Sequence, residues 1–330
     1  MRALNTFFLE PGHDNMFDDY AALYNAIDSL DNPDHVEISG DYFRSSFSHP
    51  SVEVGRDIVL IQNYEGTLVA AGTIFSQQSS PPSSRVMVQV LPSFRNRGIG
   101  SMVLEHLIET GKKRGSTVFK CRIPSFRTEA ISFVEFHGFE YNFSWVKMRL
   151  DYNQPLAPEV QSQQLSFRLL DPKRELKRWV ELHNGIYKDS YDSSLATIES
   201  LKAQVRHINF DPRLLVVCEL NGEPIGIGSG WFANHDLIGR ENKVLWIQGI
   251  GILPKYRRRG YGQALLVEIL NRAFEIGYRV AELVVHNANQ AAIGMYAKYK
   301  FHIRYKHLWY KKVTHEQMHQ RRMCNSKVTN

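Results

Sequence analysis

The chain has 330 residues, about twice the length of one ordinary domain, and is 43% hydrophobic and 22% charged, which fits two soluble domains, each with its own core. A net charge of +6 and a pI near 9.1 suggest an anionic partner, but the excess is modest, so a phosphorylated cofactor accounts for it without nucleic acid. Cys121, Cys218 and Cys324 make no metal-like spacing, Met1–Asp14 lacks an apolar signal core, and no apolar run approaches the roughly 18 residues that span a bilayer. These features predict a cytoplasmic protein with reduced thiols, no metal and no membrane partner.

In chain order, a short strand is expected at Asn5–Leu9, then helices at Phe17–Leu30 and Gly40–Ser46. Asp57–Gln62 and Thr67–Phe75 form a hairpin around Asn63-Tyr64-Glu65-Gly66. Gln77–Ser84 is a loop, Arg85–Leu91 a strand and Gly100–Arg114 a helix. Thr117–Ile123 is a strand, Arg127–Phe136 a helix and Phe139–Leu150 a closing strand. Residues 153–164, rich in Gln and Pro, read as a linker between a first domain at 1–152 and a second at 165–313, and 314–330 as a basic tail. After the linker the order repeats. Leu165–Leu170 is a strand, Glu175–Tyr187 and Thr197–His207 are helices, and Leu214–Leu220 with Pro224–Phe232 is a hairpin. A strand runs into Pro254 and a helix follows from Gly262. Arg279–Val285, Gln290–Tyr299 and Phe301–Lys311 close the set as strand, helix and strand.

The repeat has a register. Pro92 and Pro254, Arg95 and Arg257, Gly98 and Gly260, Gly100 and Gly262, and Phe139 and Phe301 all lie 162 residues apart, which argues for duplicated domains. Each glycine pair stands where an apolar strand turns into an amphipathic helix. The first N–H groups of that helix have no internal acceptor, glycine permits close approach, and the helix dipole favours an anion. Both turns are therefore candidate phosphate cradles.

With Arg95-x-x-Gly98-x-Gly100 and Arg257-x-x-Gly260-x-Gly262, each after an apolar-x-apolar-x-Pro strand end (Val88, Val90, Pro92; Ile250, Ile252, Pro254), each half resembles a GNAT-superfamily acetyltransferase. The second half adds Asn289-x-x-Ala292-x-x-x-Tyr296 and Phe301 at the family's spacing. The tandem architecture is similar to that of the mycothiol synthases, without implying their substrate. The resemblance implies a mixed α+β (α/β) fold of two tandem domains. Each would be a mixed, mostly antiparallel sheet with one splayed parallel strand pair, flanked by helices. It implies acetyl-CoA as cosubstrate, with its pyrophosphate on the amides of Arg258, Arg259, Gly260, Tyr261 and Gly262 beside Arg257. The pantetheine arm would run along Ile250, Gly251 and Ile252, and Asn289 would bind it or cap its helix. Gly249 and Gly251 would let the ligand approach the strand closely. Val88, Val90, Arg95, Arg97, Gly98, Ile99 and Gly100 would form the matching site of the first half. Tyr296 takes the role of general acid toward the departing thiolate.

The halves differ where chemistry is expected. At the 162-residue offset Tyr296 corresponds to Val134 and Asn289 to Arg127, so the resemblance assigns catalysis to the second half. The glycine expected before Phe301 is Lys300, whereas Gly138 precedes Phe139. Some relatives carry a catalytic glutamate eleven residues before the cradle's first Arg or Gln; here that position is Trp246. An alkyl amine near pKa 10 must still lose a proton. Glu282, His286 or a residue of the 236–241 loop, acting through water, are the candidates for that task.

The expected function is direct acetyl transfer from acetyl-CoA to the primary amine of a small molecule. The alternatives are a non-catalytic acetyl-CoA sensor and an acetyltransferase of protein lysines or N-termini. Gly226-Ile-Gly228-Ser-Gly230 falls inside a hairpin strand and opens no helix, which excludes a dinucleotide fingerprint. The histidines form no zinc motif.

Overall fold

The computed structural model of the chain describes residues 7–48, 52–77, 80–158, 164–188, 190, 195–232 and 243–314. The 236–241 loop and nearly all of the expected basic tail lie outside them. The described residues divide into two units: one runs up to Trp145 and resumes at Tyr305, and the other is Val146–Arg304. The sequence predicts a division across 153–164 instead. The difference arises because the closing strand of each sequence half starts in one unit and ends in the other.

The first unit contains β1 (Phe7–Pro11), α1 (Phe17–Asp28), α2 (Gly40–Phe47), the single turn α3 (Val54–Asp57), β2 (Ile58–Asn63), β3 (Leu68–Gln77), β4 (Ser83–Val90), α4 (Ile99–Lys113), β5 (Val118–Pro124) and α5 (Thr128–Phe136). Strand β6 (Glu140–Asp151) leaves this unit after residue 145. The second unit holds the rest of β6, then β7 (Leu165–Leu169), α6 (Leu176–Tyr187), α7 (Ile198–Arg206), β8 (Phe210–Leu220), β9 (Glu223–Phe232), β10 (Lys243–Ile252), α8 (Tyr261–Glu275), β11 (Tyr278–His286) and α9 (Gln290–Lys298). Strand β12 (His302–Val313) begins here and finishes in the first unit, where 307–313 pair antiparallel with β5.

Sheet order in the first unit is β1-β2-β3-β4-β5-β12, antiparallel except for the parallel β4–β5 pair. In the second it is β6-β11-β10-β9-β8-β7, where β10–β11 is the parallel pair and β7 to β10 pair antiparallel. Each unit is thus the mixed, mostly antiparallel sheet expected from the repeat.

Helical spacing explains why α4 and α8 each cover one face. Val103, Leu104, Leu107, Ile108 and Gly111 are buried on α4, and Leu265, Leu266, Ile269, Leu270 and Ala273 on α8, every pair 162 residues apart. A leucine buried like Leu265 stabilises by roughly 2 kcal/mol, so these stripes hold the helices that carry the cradles. The opposite faces are covered by α1 and α2 in the first unit and by α6 and α7 in the second. Gly226, Gly228 and Gly230 lie in β9 beneath Ile252, Ile269 and Leu245, where a Cβ would collide with those side chains; they serve packing.

A second repeat runs at a different offset. Asn25 on α1 donates Nδ2–H to Ile38 O (2.8 Å) and accepts from Ile38 N–H (2.9 Å). Asn184 on α6 makes the same two-way clamp with Ala196, at 3.0 and 2.7 Å. These asparagines are 159 residues apart and hold the segment after each first helix against it.

Candidate active site

Both cradles have the same backbone. Gly98 (φ 81°, ψ −6°) and Gly260 (φ 80°, ψ −4°) are left-handed N-caps of α4 and α8, and Asn96 (φ 59°) and Arg258 (φ 61°) share that region two residues earlier. Only glycine takes φ near +80° without a Cβ penalty, and a Cβ built on Gly98 meets nothing within 4 Å. The space above Gly98 is open. Gln263 and Ala264 both donate to Gly260 O (3.0 and 3.1 Å), so the N–H groups of Tyr261 and Gly262 before them have no acceptor within the helix. Arg257 braces the turn: its Nε donates to Ile252 O (2.9 Å) and its Nη2 to Ile186 O (2.7 Å). Arg95 likewise donates from Nε to Val90 O (3.3 Å) and pairs with Glu129. Both guanidinium groups shape the cradles from behind.

The parallel strands splay in both units. Strand β4 pairs with β5 only over Ser83–Arg85, and Val88 and Val90 lie beyond the last pair. Strand β10 pairs with β11 as far as Trp246–Glu282, and Gly249–Ile252 run on without it. The units then differ. The β9–β10 ladder slips between Ile247 and Gly249, leaving Gln248 as an extra residue, whereas the β3–β4 ladder runs unbroken from Ser83 to Val90. A bulge of this kind frees ladder groups and re-aims the strand.

Side chains converge on that bulged length. Ile250 and Ile252 pack with the α8 core, while Gly249 and Gly251 face α6. Built Cβ atoms at these glycines would lie 3.0 and 3.1 Å from the Tyr187 hydroxyl, so the close approach they permit is made by α6, and a ligand has only their backbone to meet. His183, one turn earlier on α6, holds its ring 4.8 Å from that of Tyr187, tilted by 49°. Tyr296 on α9 is buried, its ring 5.6 Å from Phe301, and burial pushes its pKa up to about 12, which keeps it protonated and widens its gap to a thiol near 8.5. Its ionised form would oppose ionisation of Tyr187, whose pKa is raised chiefly by burial. Asn289 caps α9, accepting from Ala292 N–H at 3.2 Å.

Protein comparisons agree with this geometry. The family model described as "Acetyltransferase (GNAT) family" matches twice, over residues 24–139 and 176–301, which together exceed half the chain. The chain belongs to the GNAT acetyltransferase family. It is an acyl-CoA-dependent N-acyltransferase built as a tandem pair. A mycothiol acetyltransferase of Thermobispora bispora is 28% identical over 240 residues, covering 72% of this chain and 78% of that protein. Among solved structures, a GCN5-related N-acetyltransferase from Sphaerobacter thermophilus has TM-score 0.75 at 19% identity, covering 93% of this chain and 95% of its own. A tandem GNAT protein from the clavulanic acid biosynthesis pathway has TM-score 0.74 at 16% identity, with coverage of 93% and 98%. At those identities the structures bear on fold alone.

The first GNAT unit keeps a cavity of about 940 Å³ between its cradle residues Arg95, Gly98 and Gly100 and a polar end formed by Gln89, Asp31 and Arg127. Where Asn289 caps a helix, Arg127 instead ties α5 to α1, its Nη2 donating to Asp28 (2.7 Å) and its Nε to Asp31 (3.1 Å). Asp28 is buried and also meets His35 Nδ1 at 2.9 Å. The Asn25–Asn184 offset sets Asp28 opposite Tyr187 and Tyr24 opposite His183. Tyr187 and His183 were not among the residues predicted from sequence; the paired asparagines were the signal that aligned them.

Two expected candidates for the base are otherwise engaged. Glu282 is buried between Lys147 Nζ (3.0 Å) and Arg149 Nη1 (3.4 Å). His286 is buried, and its Nδ1 accepts from Ala288 N–H at 3.1 Å. Trp246 donates its indole N–H to Gln248 Oε1 at 3.0 Å.

Proposed function

We propose that the second unit transfers an acetyl group from acetyl-CoA to a primary amine of a small molecule. The first unit holds coenzyme A without turning it over. The observation that carries this reading is the bulge at Gln248, which coincides with the splayed strand, the cradle and Tyr296 in the second unit alone. The names of the curated relatives, mycothiol acetyltransferases, support a small-molecule acceptor.

Bound there, acetyl-CoA supplies the activated acyl group. The N–H groups of Tyr261 and Gly262 hold its diphosphate, with the α8 dipole behind them. Ladder groups of β10 freed between Gln248 and Ile252 receive the pantetheine amides and the negative charge developing on the acyl oxygen. Tyr296, protonated throughout the neutral range, gives its proton to the departing sulfur.

The test is thiol release from acetyl-CoA over a panel of small amines. Tyr296→Phe should lower turnover at least about tenfold while calorimetry still registers acetyl-CoA binding. Undiminished turnover in that variant removes Tyr296 from the mechanism. Trp246, in place of a family glutamate, favours a second reading as a coenzyme A sensor, which would bind without releasing thiol for any amine.

A further inference from the structure

We propose that His183 is the general base of the second unit, accepting the amine proton at Nε2. This rests on the reading that this unit transfers acyl groups to amines. Glu282 and His286 are committed elsewhere, and Trp246 has no basic atom. Among the described residues, helix α6 brings a further basic group, His183, against Tyr187, whose hydroxyl meets Gly249 and Gly251.

Its tautomer follows from its neighbour. Asn184 Oδ1 is fixed as an oxygen by the Ala196 N–H it accepts, so the ring nitrogen facing it at 3.4 Å, Nδ1, carries the hydrogen. The lone pair therefore lies on Nε2, which has no hydrogen-bond partner among the described residues. Burial holds His183 below the ordinary imidazole value, so the ring is neutral at pH 7. In the first unit the aligned residue is Tyr24, which offers no such lone pair.

The step balances. The neutral amine nitrogen bonds to the acyl carbon and becomes acidic, and Nε2 takes one of its protons. The carbon–sulfur bond breaks, the sulfur leaves with the electron pair, and Tyr296 gives it one proton. The proton on His183 returns to Tyr296 through solvent, leaving amide and thiol as the only products. Among the described residues, the ionisable groups that act on Tyr187 beside His183 are Tyr296 from α9 and Arg257 from the cradle turn. Burial raises the Tyr296 phenol, so it stays neutral between pH 5 and 7, and a limb in that range is assigned to the imidazole.

The experiment compares the full-length protein with His183→Phe, which keeps a ring on Tyr187, and His183→Gln. Both variants should lose about 100-fold or more in kcat/KM, together with the acidic limb of its pH profile. Acetyl-CoA affinity by calorimetry should stay within about twofold, because the cradle is untouched. NMR titration of the unliganded protein should show an imidazole resonance, missing in His183→Phe, whose midpoint coincides with that limb. Persistence of the limb with kcat/KM near the parent value in either variant, or a midpoint away from the limb, overturns the proposal and leaves acyl transfer standing. Failure of the parent protein to release thiol with any amine overturns acyl transfer, and the role of His183 with it.

Discussion

The two units share a cradle whose backbone angles agree within a few degrees, yet they differ at three places around the gap it serves. The second has the bulge at Gln248, Tyr296 on α9 and the His183–Tyr187 pair on α6. The first has an unbroken ladder, Val134, and Tyr24 with Asp28. The cradle turn and the splayed strand pair thus persist in the first unit without the groups proposed to move protons in the second. What stands at those positions is structural: Arg127 and Asp28 join α5 to α1 at the positions aligned with Asn289 and Tyr187. On the proposed reading, ligand holding and turnover are separable properties of this fold, and the duplication has separated them.

The largest effect on stability is expected from cutting that tie. Arg127→Ala leaves the Asp28 carboxylate buried with, among the described residues, His35 and Asn32 as its side-chain partners. Removing one member of a buried pair costs 3–5 kcal/mol; with Arg127 about a fifth exposed, about 2–3 kcal/mol is expected. Urea unfolding should register the loss in the first unit while thiol release is unaffected. A matching fall in turnover would show that the first unit's integrity is needed for chemistry.

Next in size is the split between the cradles. Gly260→Ala and Gly98→Ala each force a Cβ onto φ near +80°, at about 1–2 kcal/mol of stability. Only Gly260→Ala should weaken the acetyl-CoA affinity that supports turnover, about 10- to 100-fold, the value of one charge-assisted hydrogen bond to the diphosphate. Equal losses of turnover from the two variants would break the assignment of chemistry to the second unit. Asn289→Ala, which removes a helix cap, should cost about 1 kcal/mol, less than Arg127→Ala at the aligned position. Denaturant midpoints compare the two directly.

The sequence made the cradles legible because their physics is local: a cap residue at φ near +80° favours glycine, and proline marks the strand end. The apolar stripes of α4 and α8 follow the same 162-residue register and were readable for the same reason. Non-local features were hidden. The extra residue at Gln248 is defined only by which residues of β9 face it, and the passages at 145 and 304 depend on which sheet edge a strand joins. Residues 153–164 have the composition of a linker, but composition does not decide strand partners. The acceptor side was hidden by a shift of register, since Asn25 and Asn184 match at 159 and a search at 162 passes over them.

The smallest predicted effect concerns Lys300, where the family pattern expects glycine. Lys300 adopts φ 64° and Gly138 φ 76°, and the turn closes alike in both units, Phe301 N–H donating to Tyr296 O at 3.1 Å and Phe139 N–H to Val134 O at 3.0 Å. The departure in sequence therefore leaves the geometry intact, and its cost is energetic. A side chain in the left-handed region costs about 1–2 kcal/mol, while glycine gives back some 0.4–1 kcal/mol through the greater freedom of the unfolded chain. Lys300→Gly should raise the denaturant midpoint by the equivalent of about 0.5–1 kcal/mol, and Gly138→Ala should lower it by a similar amount, both with unchanged m. Because Phe301 and Tyr296 are held by this turn, Lys300→Gly also asks whether the strain is used. If the stabilised variant turns over as fast as the parent, the lysine's strain contributes nothing to the position of Tyr296; if it turns over more slowly, the left-handed lysine is part of how the second unit sets its acid.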